Sequence, residues 1–276
     1  MSLSKEIKAK LNKLNSYLKN KKIIVSFSGG VDSSLLAFLS KKSADKTLLV
    51  TEKSILFPDD DIEYTIKFAK KYDIPHLIIK GDPFKDESFF KNTIKRCYHC
   101  KRRLYTNIIK IKEEKNYDVI IDGTNADDVS DFRPGMQALK ELNIKTPYID
   151  FNINKNEIRE ISKYYNLKTH SKPSMACYAS RVQYDLLINE ERINKIKQAE
   201  NYLKNSFNLT QVRVRIHEQD LARIEFLIDD FQKILTLQNL KLIKTKFKDM
   251  GFCYITIDIE GFRSGSLNEA LNLKKE

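Results

Sequence analysis

No run of about eighteen apolar residues occurs in the 276-residue chain, so no membrane-spanning helix is expected. The opening residues, Met1 to Ile7, lack the apolar stretch of a signal peptide, and cytoplasmic residence follows as the expectation. Cysteine is scarce. Four in a chain of this size do not make a disulfide framework. Internal repeats and low-complexity linkers are absent too, which leaves folded, non-repetitive domains.

What is present is a balanced globular composition, 41% hydrophobic and 31% charged, enough for a substantial core and a second, smaller domain. The formal charge of +12 reads either as polyanion binding or as lysine-rich solvated helix faces. Between Lys91 and Lys115 the bias is sharper, because only Glu113 and Glu114 oppose a dense set of Lys and Arg.

Ile7, Leu11, Leu14 and Leu18 fall at helical spacing after Ser4, a suitable cap. Short β-branched runs then recur at Ile23-Ile24-Val25, Leu48-Leu49-Val50, Leu77-Ile78-Ile79 and Val119-Ile120-Ile121. Helical patterns at 33–42, 59–72 and 100–115 lie between them, and Asn154 is placed to cap another helix over 155–165. Continuous apolar strands alternating with helices predict a parallel sheet covered on both faces. Beyond about residue 170 the texture changes to a loop, a helix from Asn189 to Asn205, strands at 211–217 and 221–228, a helix within 237–249 and a strand at 252–258. The expected fold is therefore α/β, a doubly wound parallel sheet over 1–170, followed by a loop carrying Cys177 and a small α+β domain over 171–276.

The first strand runs directly into Ser28-Gly29-Gly30-Val31-Asp32-Ser33-Ser34, where a helix begins. Glycines let the backbone approach an anion, while Ser28, Ser33, Ser34 and first-turn N–H groups supply donors in the favourable field of the helix. The ending G-K-[ST] is missing, so the loop is not of the Walker type. A second loop, Gly123-Thr124-Asn125-Ala126-Asp127-Asp128, follows the fourth strand at the same sheet edge, where ligands of open α/β sheets bind. A turn with a helix cap would use the same residue types.

Ser28-Gly29-Gly30-Val31-Asp32-Ser33 resembles the S-G-G-x-D-S loop of the PP-loop ATP pyrophosphatases, whose fold is adenine nucleotide α-hydrolase-like. The stretches Arg96-Cys97-Tyr98-His99-Cys100-Lys101 and Lys172-Pro173-Ser174-Met175-Ala176-Cys177-Tyr178-Ala179-Ser180-Arg181 narrow the likeness to the LarE-type sulfurtransferases. So do Gly123–Asp128, Asp131-Phe132-Arg133-Pro134-Gly135, Arg213-Val214-Arg215 and Glu260 to Ser266. These motifs span nearly the whole chain. The resemblance implies ATP as cosubstrate, with Mg²⁺ held in part by Asp32. It further implies adenylation of a carboxylate of pyridinium-3,5-biscarboxylic acid mononucleotide, a phosphorylated nicotinate-derived substrate, and replacement of AMP by sulfur. Sulfide or another donor would resupply the sulfur, and a homo-oligomer is implied.

Two versions of the chemistry exist in that family. Either Cys177 gives up its own sulfur, or three cysteines hold a [4Fe-4S] cluster. Cys97, Cys100 and Cys177 are all present, and a sacrificial mechanism has no use for the first two, so the cluster is the expected version. Zinc bound by Cys97 and Cys100 with His99, or inert thiols, are the other readings, although no second C-x-x-C or clear His pair completes a zinc site. Cys253 alternates with Ile255 and Ile257 and is expected in the core. On the strand 211–217, Val212, Val214 and Ile216 share one face and Arg213, Arg215 and His217 the other. By the resemblance the arginine pair receives the substrate's phosphate, while a solvated strand face is the plain alternative. Lys101 and Arg181 would neutralise the pyrophosphate or adenylate, with Ser180 adding a hydroxyl. Glu200, Glu225 and Asp229 are weaker candidates for a divalent-metal site in the second domain, and as isolated acids they are expected to face solvent. A tRNA thiolase of the same superfamily stands as the alternative function, and RNA as the alternative partner.

Overall fold

The computed structural model describes residues 3–129, 134–173, 176–263 and 265–272. Asp131, Phe132, Arg133, Ser174, Met175 and Ser264 of the motifs above lie outside the described residues. The chain forms two compact units, one of Met1–Pro83 with Lys95–Met175 and one of Phe84–Ile94 with Ala176–Glu276.

In the first unit, helix α1 (Lys5–Leu18) starts at Ser4, whose side chain accepts from the Ile7 N–H, and it buries Ile7, Leu11, Leu14 and Leu18 as their spacing predicts. There follow β1 (Lys22–Ser26), α2 (Val31–Ser43), β2 (Lys46–Lys53), α3 (Asp59–Lys71), β3 (His76–Lys80), α4 (Arg96–Glu114), β4 (Val119–Ile121), α5 (Pro134–Glu141) and α6 (Lys155–Tyr164). Asn154 and Glu157 form a reciprocal capping box at the start of α6. The four strands are parallel in the order β3-β2-β1-β4.

Alternation along each strand sends residues to opposite layers. Ile23, Val25, Leu49 and Ile121 pack with α1, α2, α3 and α6. Ile24, Leu48, Val50 and Ile120 pack with Tyr105 and Ile108 of α4 and Leu139 of α5. Both faces are covered, which is why the strands read as unbroken apolar runs. The chain leaves β1 toward β2 and β3, then crosses back to place β4 on the other side of β1. That reversal opens a crevice at the carboxyl end of β1.

The second unit contains α7 (Glu190–Phe207), β5 (Val212–His217), β6 (Leu221–Phe226), α8 (Leu237–Asp249) and β7 (Tyr254–Ile257). β5 and β6 pair antiparallel and β6 and β7 parallel, with α8 as the crossover that a parallel pair requires. Residues 84–94 belong to this unit although the sequence reading leaves them with the sheet. The buried Asn92 amide donates to the carbonyls of Val182, Gln183 and Leu186 at 3.2, 2.7 and 3.1 Å. Cys253 is a correction. It is exposed, because β7 begins only at Tyr254 and Cys253 sits in the turn after the left-handed Gly251. No helix among the described residues is long and apolar enough to cross a membrane.

Candidate active site

β1 delivers the chain to Ser28, and α2 begins at Val31 with Gly30 as its cap residue and no side chain capping it. The first-turn N–H groups are thus left to an outside acceptor. Gly29 holds φ +71°, and a Cβ there would stand 3.0 Å from both Thr65 and Tyr64 of α3, so only glycine fits. Ser28 and Ser33 brace the turn: their hydroxyls lie 3.1 Å apart and the Ser28 N–H donates to Ser33 Oγ at 3.3 Å. Ser34 is turned inward, fully buried, with its N–H on the Gly30 carbonyl.

The second loop comes against this turn. A Cβ on Gly123 would lie 3.1 Å from the Ser33 nitrogen, so glycine sets the approach of the two loops. Asn125 and Asp128 are buried, and Asp128 Oδ2 accepts from the Asn125 N–H at 3.0 Å. Asp32, in the first turn of α2, meets Lys155 Nζ at 2.5 Å through Oδ2. Its Oδ1 is buried and has no partner among the described residues. Burial pushes the Asp32 carboxyl above its ordinary range, the Lys155 charge opposes this, and nearby Asp128 adds to it. A partly buried carboxylate with one oxygen unengaged is suited to a cation.

Lys101 reaches the same loop from α4. Its Nζ lies 3.4 Å from Asp122 Oδ2 and 3.5 Å from Thr124 Oγ1. Asp122 also accepts from the Thr124 N–H at 2.7 Å, from the Thr124 hydroxyl and from the Tyr105 hydroxyl. Burial alone would raise this carboxyl, but Lys101, Thr124 and Tyr105 together hold it below the ordinary range. Sequence reasoning passed over Asp122 and Lys155 and gave Lys172, quoted within a motif, no role. Lys172 Nζ donates to the Gly29 carbonyl at 3.1 Å and to Asp61 at 2.8 Å, and it lies over the Tyr64 ring. Each of the three meets its ionic partner only through the fold: Asp122 meets Lys101, Lys155 meets Asp32 and Lys172 meets Asp61.

α4 begins at Arg96 rather than near residue 100, so Cys97 falls in its first turn and Cys100 at the start of its second, three positions apart on one face. Cys100 lines a cleft together with Ser26, Phe27 and Ser28 of the phosphate loop, Glu52 of β2 and Leu104 of α4. Neither is in a disulfide, and Cys97 is exposed and Cys100 partly so. Cys177, also outside any disulfide and partly exposed, belongs to the second unit. Among the described residues no three His, Cys, Asp or Glu side chains form a group able to hold a metal ion.

Ser180, Arg181, Arg213 and Arg215 come together in the second unit. Arg215 grips Glu225 through two parallel bonds of 2.7 and 2.8 Å and donates to the Ser180 carbonyl at 2.9 Å. Arg181 binds Glu200 at 3.0 Å and the Cys177 carbonyl at 2.9 Å. Glu200 and Glu225 are fully buried, which corrects the expectation that they face solvent, whereas Asp229 is exposed. The solvated-face reading of β5 fails as well, because Arg213 and Arg215 are 4% and 6% exposed. Arg181, Arg213, Arg215 and Arg223 gather around the buried Glu200 and Glu225, and burial, then Arg181, lowers Arg213 to about 10.

The strand order, the glycine turn at the switch point and a match of the NAD synthase family over residues 2–100 define a PP-loop α/β domain. An uncharacterized protein of Methanocaldococcus jannaschii is 39% identical over 95% of this chain and 98% of its own. An uncharacterized protein of Synechocystis is 32% identical over 96% and 99%. The pyridinium-3,5-bisthiocarboxylic acid mononucleotide synthase of Lactiplantibacillus plantarum is 29% identical over 91% and 90%. The chain belongs to the LarE-type family.

Proposed function

We propose that the chain is an ATP-dependent sulfurtransferase acting on a carboxylate of a pyridinium dicarboxylate mononucleotide. The observation that carries it is Cys100 lining one cleft with Ser26, Phe27 and Ser28, which brings sulfur chemistry to the nucleotide loop. The L. plantarum relative, a synthase of the bisthiocarboxylic acid mononucleotide, supports the substrate class.

In this reading the N–H groups of the Gly29-Gly30 turn, with Ser28 and Ser33, take the ATP phosphates, and Thr124, Asn125 and Asp128 flank them. Asp32 supplies an oxygen to Mg²⁺, its unengaged Oδ1 being the natural donor. A substrate carboxylate oxygen attacks the α-phosphorus, the bond to the β-phosphate oxygen breaks and pyrophosphate leaves. Lys101, oriented by Asp122, stabilises the charge on the α-phosphate. A sulfur nucleophile then adds to the acyl carbon, the C–O bond breaks and AMP departs with that oxygen. The substrate's phosphate goes to Arg213 and Arg215, with Arg181 and Ser180 beside them.

In the cluster reading Cys97, Cys100 and Cys177, none of them in a disulfide, supply the three thiolates for a [4Fe-4S] cluster. Such a cluster, when bound, supplies the sulfur. The test is twofold. Pyrophosphate release should require both ATP and pyridinium-3,5-biscarboxylic acid mononucleotide, and anaerobic protein should hold iron that falls in Cys97→Ala, Cys100→Ala and Cys177→Ala. Iron unchanged in all three variants, with Cys177 converted to dehydroalanine on turnover, would replace the cluster with sacrificial transfer. Pyrophosphate released only with tRNA would move the chain to the thiolases.

A further inference from the structure

Glu52 stands at the carboxyl end of β2, about twenty residues beyond the Gly29-Gly30 turn, and nothing in the reaction above uses it. Its side chain is only 6% exposed, yet it forms part of the cleft wall that Ser28 and Cys100 share. Arg103, one turn along α4 from Cys100, donates from Nη2 to Glu52 Oε1 at 2.6 Å. Oε2 has no donor among the described residues.

The pocket around this carboxylate is built for it. Gly81 follows β3, and a Cβ there would lie 1.8 Å from Glu52 Oε1 and 2.4 Å from Cδ, so any other residue would evict the side chain. The Gly81 N–H is tied to the Lys53 carbonyl at 2.9 Å, which fixes the gap in place. An ion pair needed only for stability has no call for a cleft address. Phe57, Ile62 and Leu104 give the cleft an apolar part, a surface for a purine face, while Thr51 and Asp61 also line it.

A sheet ordered β3-β2-β1-β4 binds its nucleotide at the carboxyl end of β1, and an acidic residue at the end of the neighbouring β2 is within reach of the ribose. An ionised carboxylate is acceptor-only and suits hydroxyl donors. We infer that Glu52 is the ribose ligand of this site, accepting a hydrogen bond from the 2′- or 3′-hydroxyl of the bound nucleotide, with Arg103 as its positioning residue. The inference rests on the ATP reading above and adds to it a selection for ribonucleotides.

The test is nucleotide binding by calorimetry, with no turnover needed. The wild-type protein should bind ATP about tenfold to a hundredfold more tightly than 2′-deoxyATP or 3′-deoxyATP, the range for one hydrogen bond to a charged group. Glu52→Ala should bind all three alike, at the level of the deoxy forms. Arg103→Met should lose part of the discrimination and Arg103→Lys should restore it. Equal binding of ATP and both deoxy forms by wild-type protein overturns the inference without any variant, and discrimination that persists in Glu52→Ala overturns it too. Either result leaves the ATP reading standing, whereas failure of ATP itself to bind would remove both.

Discussion

The two units treat charge in opposite ways. Around the phosphate loop, acids and bases pair one to one and leave valences open: the first-turn N–H groups of α2, one oxygen of Asp32, one of Glu52. In the second unit the charged groups are packed face to face, with Glu225 alone accepting from Arg215, Arg223 and Ser266. The first arrangement suits an anion through backbone dipoles and a divalent ion, and the second ties guanidiniums to buried carboxylates. The lesson is that a buried cluster must satisfy nearly all of its own charged groups, while a ligand loop keeps some of its donors and acceptors for the ligand.

The largest expected effect breaks the second arrangement. Glu225→Gln leaves Arg215 and Arg223 short of a countercharge in a dry site, and should cost roughly 3–5 kcal/mol in denaturant unfolding. A double change of Arg215 and Glu225 to apolar residues of similar volume should cost much less, and an equal loss would show that the packing rather than the charge matters. Asp122→Asn addresses the first arrangement. It removes the carboxylate that orients Lys101, and kcat for pyrophosphate release should fall about tenfold to a hundredfold with little change in nucleotide affinity. Asp122 has a depressed pKa, so its contribution to stability is present above the ordinary carboxylate range and lost as pH falls through its lower folded value.

A smaller effect should separate the units by pH. Burial, then Arg223 and Arg215, lowers His217 to about 4, and its Nδ1 pairs with Gln183 at 2.8 Å. A histidine kept neutral in the fold binds its proton only when unfolded. Stability is therefore full above about pH 6.5 and declines as pH drops toward about 4. His217→Gln should flatten that decline in a series of melting curves, and an unaltered slope would clear His217 of the role. Smallest of all, Asp32→Asn should leave the melting temperature the same or slightly higher, since the buried charge is disfavoured, while Mg²⁺-dependent ATP binding is lost. A clearly lower melting temperature would mean that the Lys155 pair holds the loop together.

Much of this was legible beforehand where the signal is local. The β-branched runs marked all four strands, and the Gly29-Gly30 turn and the Gly123 loop declared themselves by residue type and by following strands. The start of α4 was misplaced because Arg96 to Cys100 carries no apolar periodicity to show a helix, and that error hid the fact that both cysteines sit on one helix, three positions apart. Glu200 and Glu225 were read as surface residues because acids usually are. Only their arginine partners, on other elements, make burial tolerable.

The order of residues alone determined the alternation of strand and helix, the phosphate loop and the inventory of cysteines, because each depends on neighbours a few positions away. Folding decided which carboxylate is paired and which is left open: Asp122 against Lys101, Glu225 against Arg215, Glu52 beside the gap at Gly81. A charge takes its energy from whatever lies within a few ångströms, and for these groups those neighbours come from distant parts of the chain.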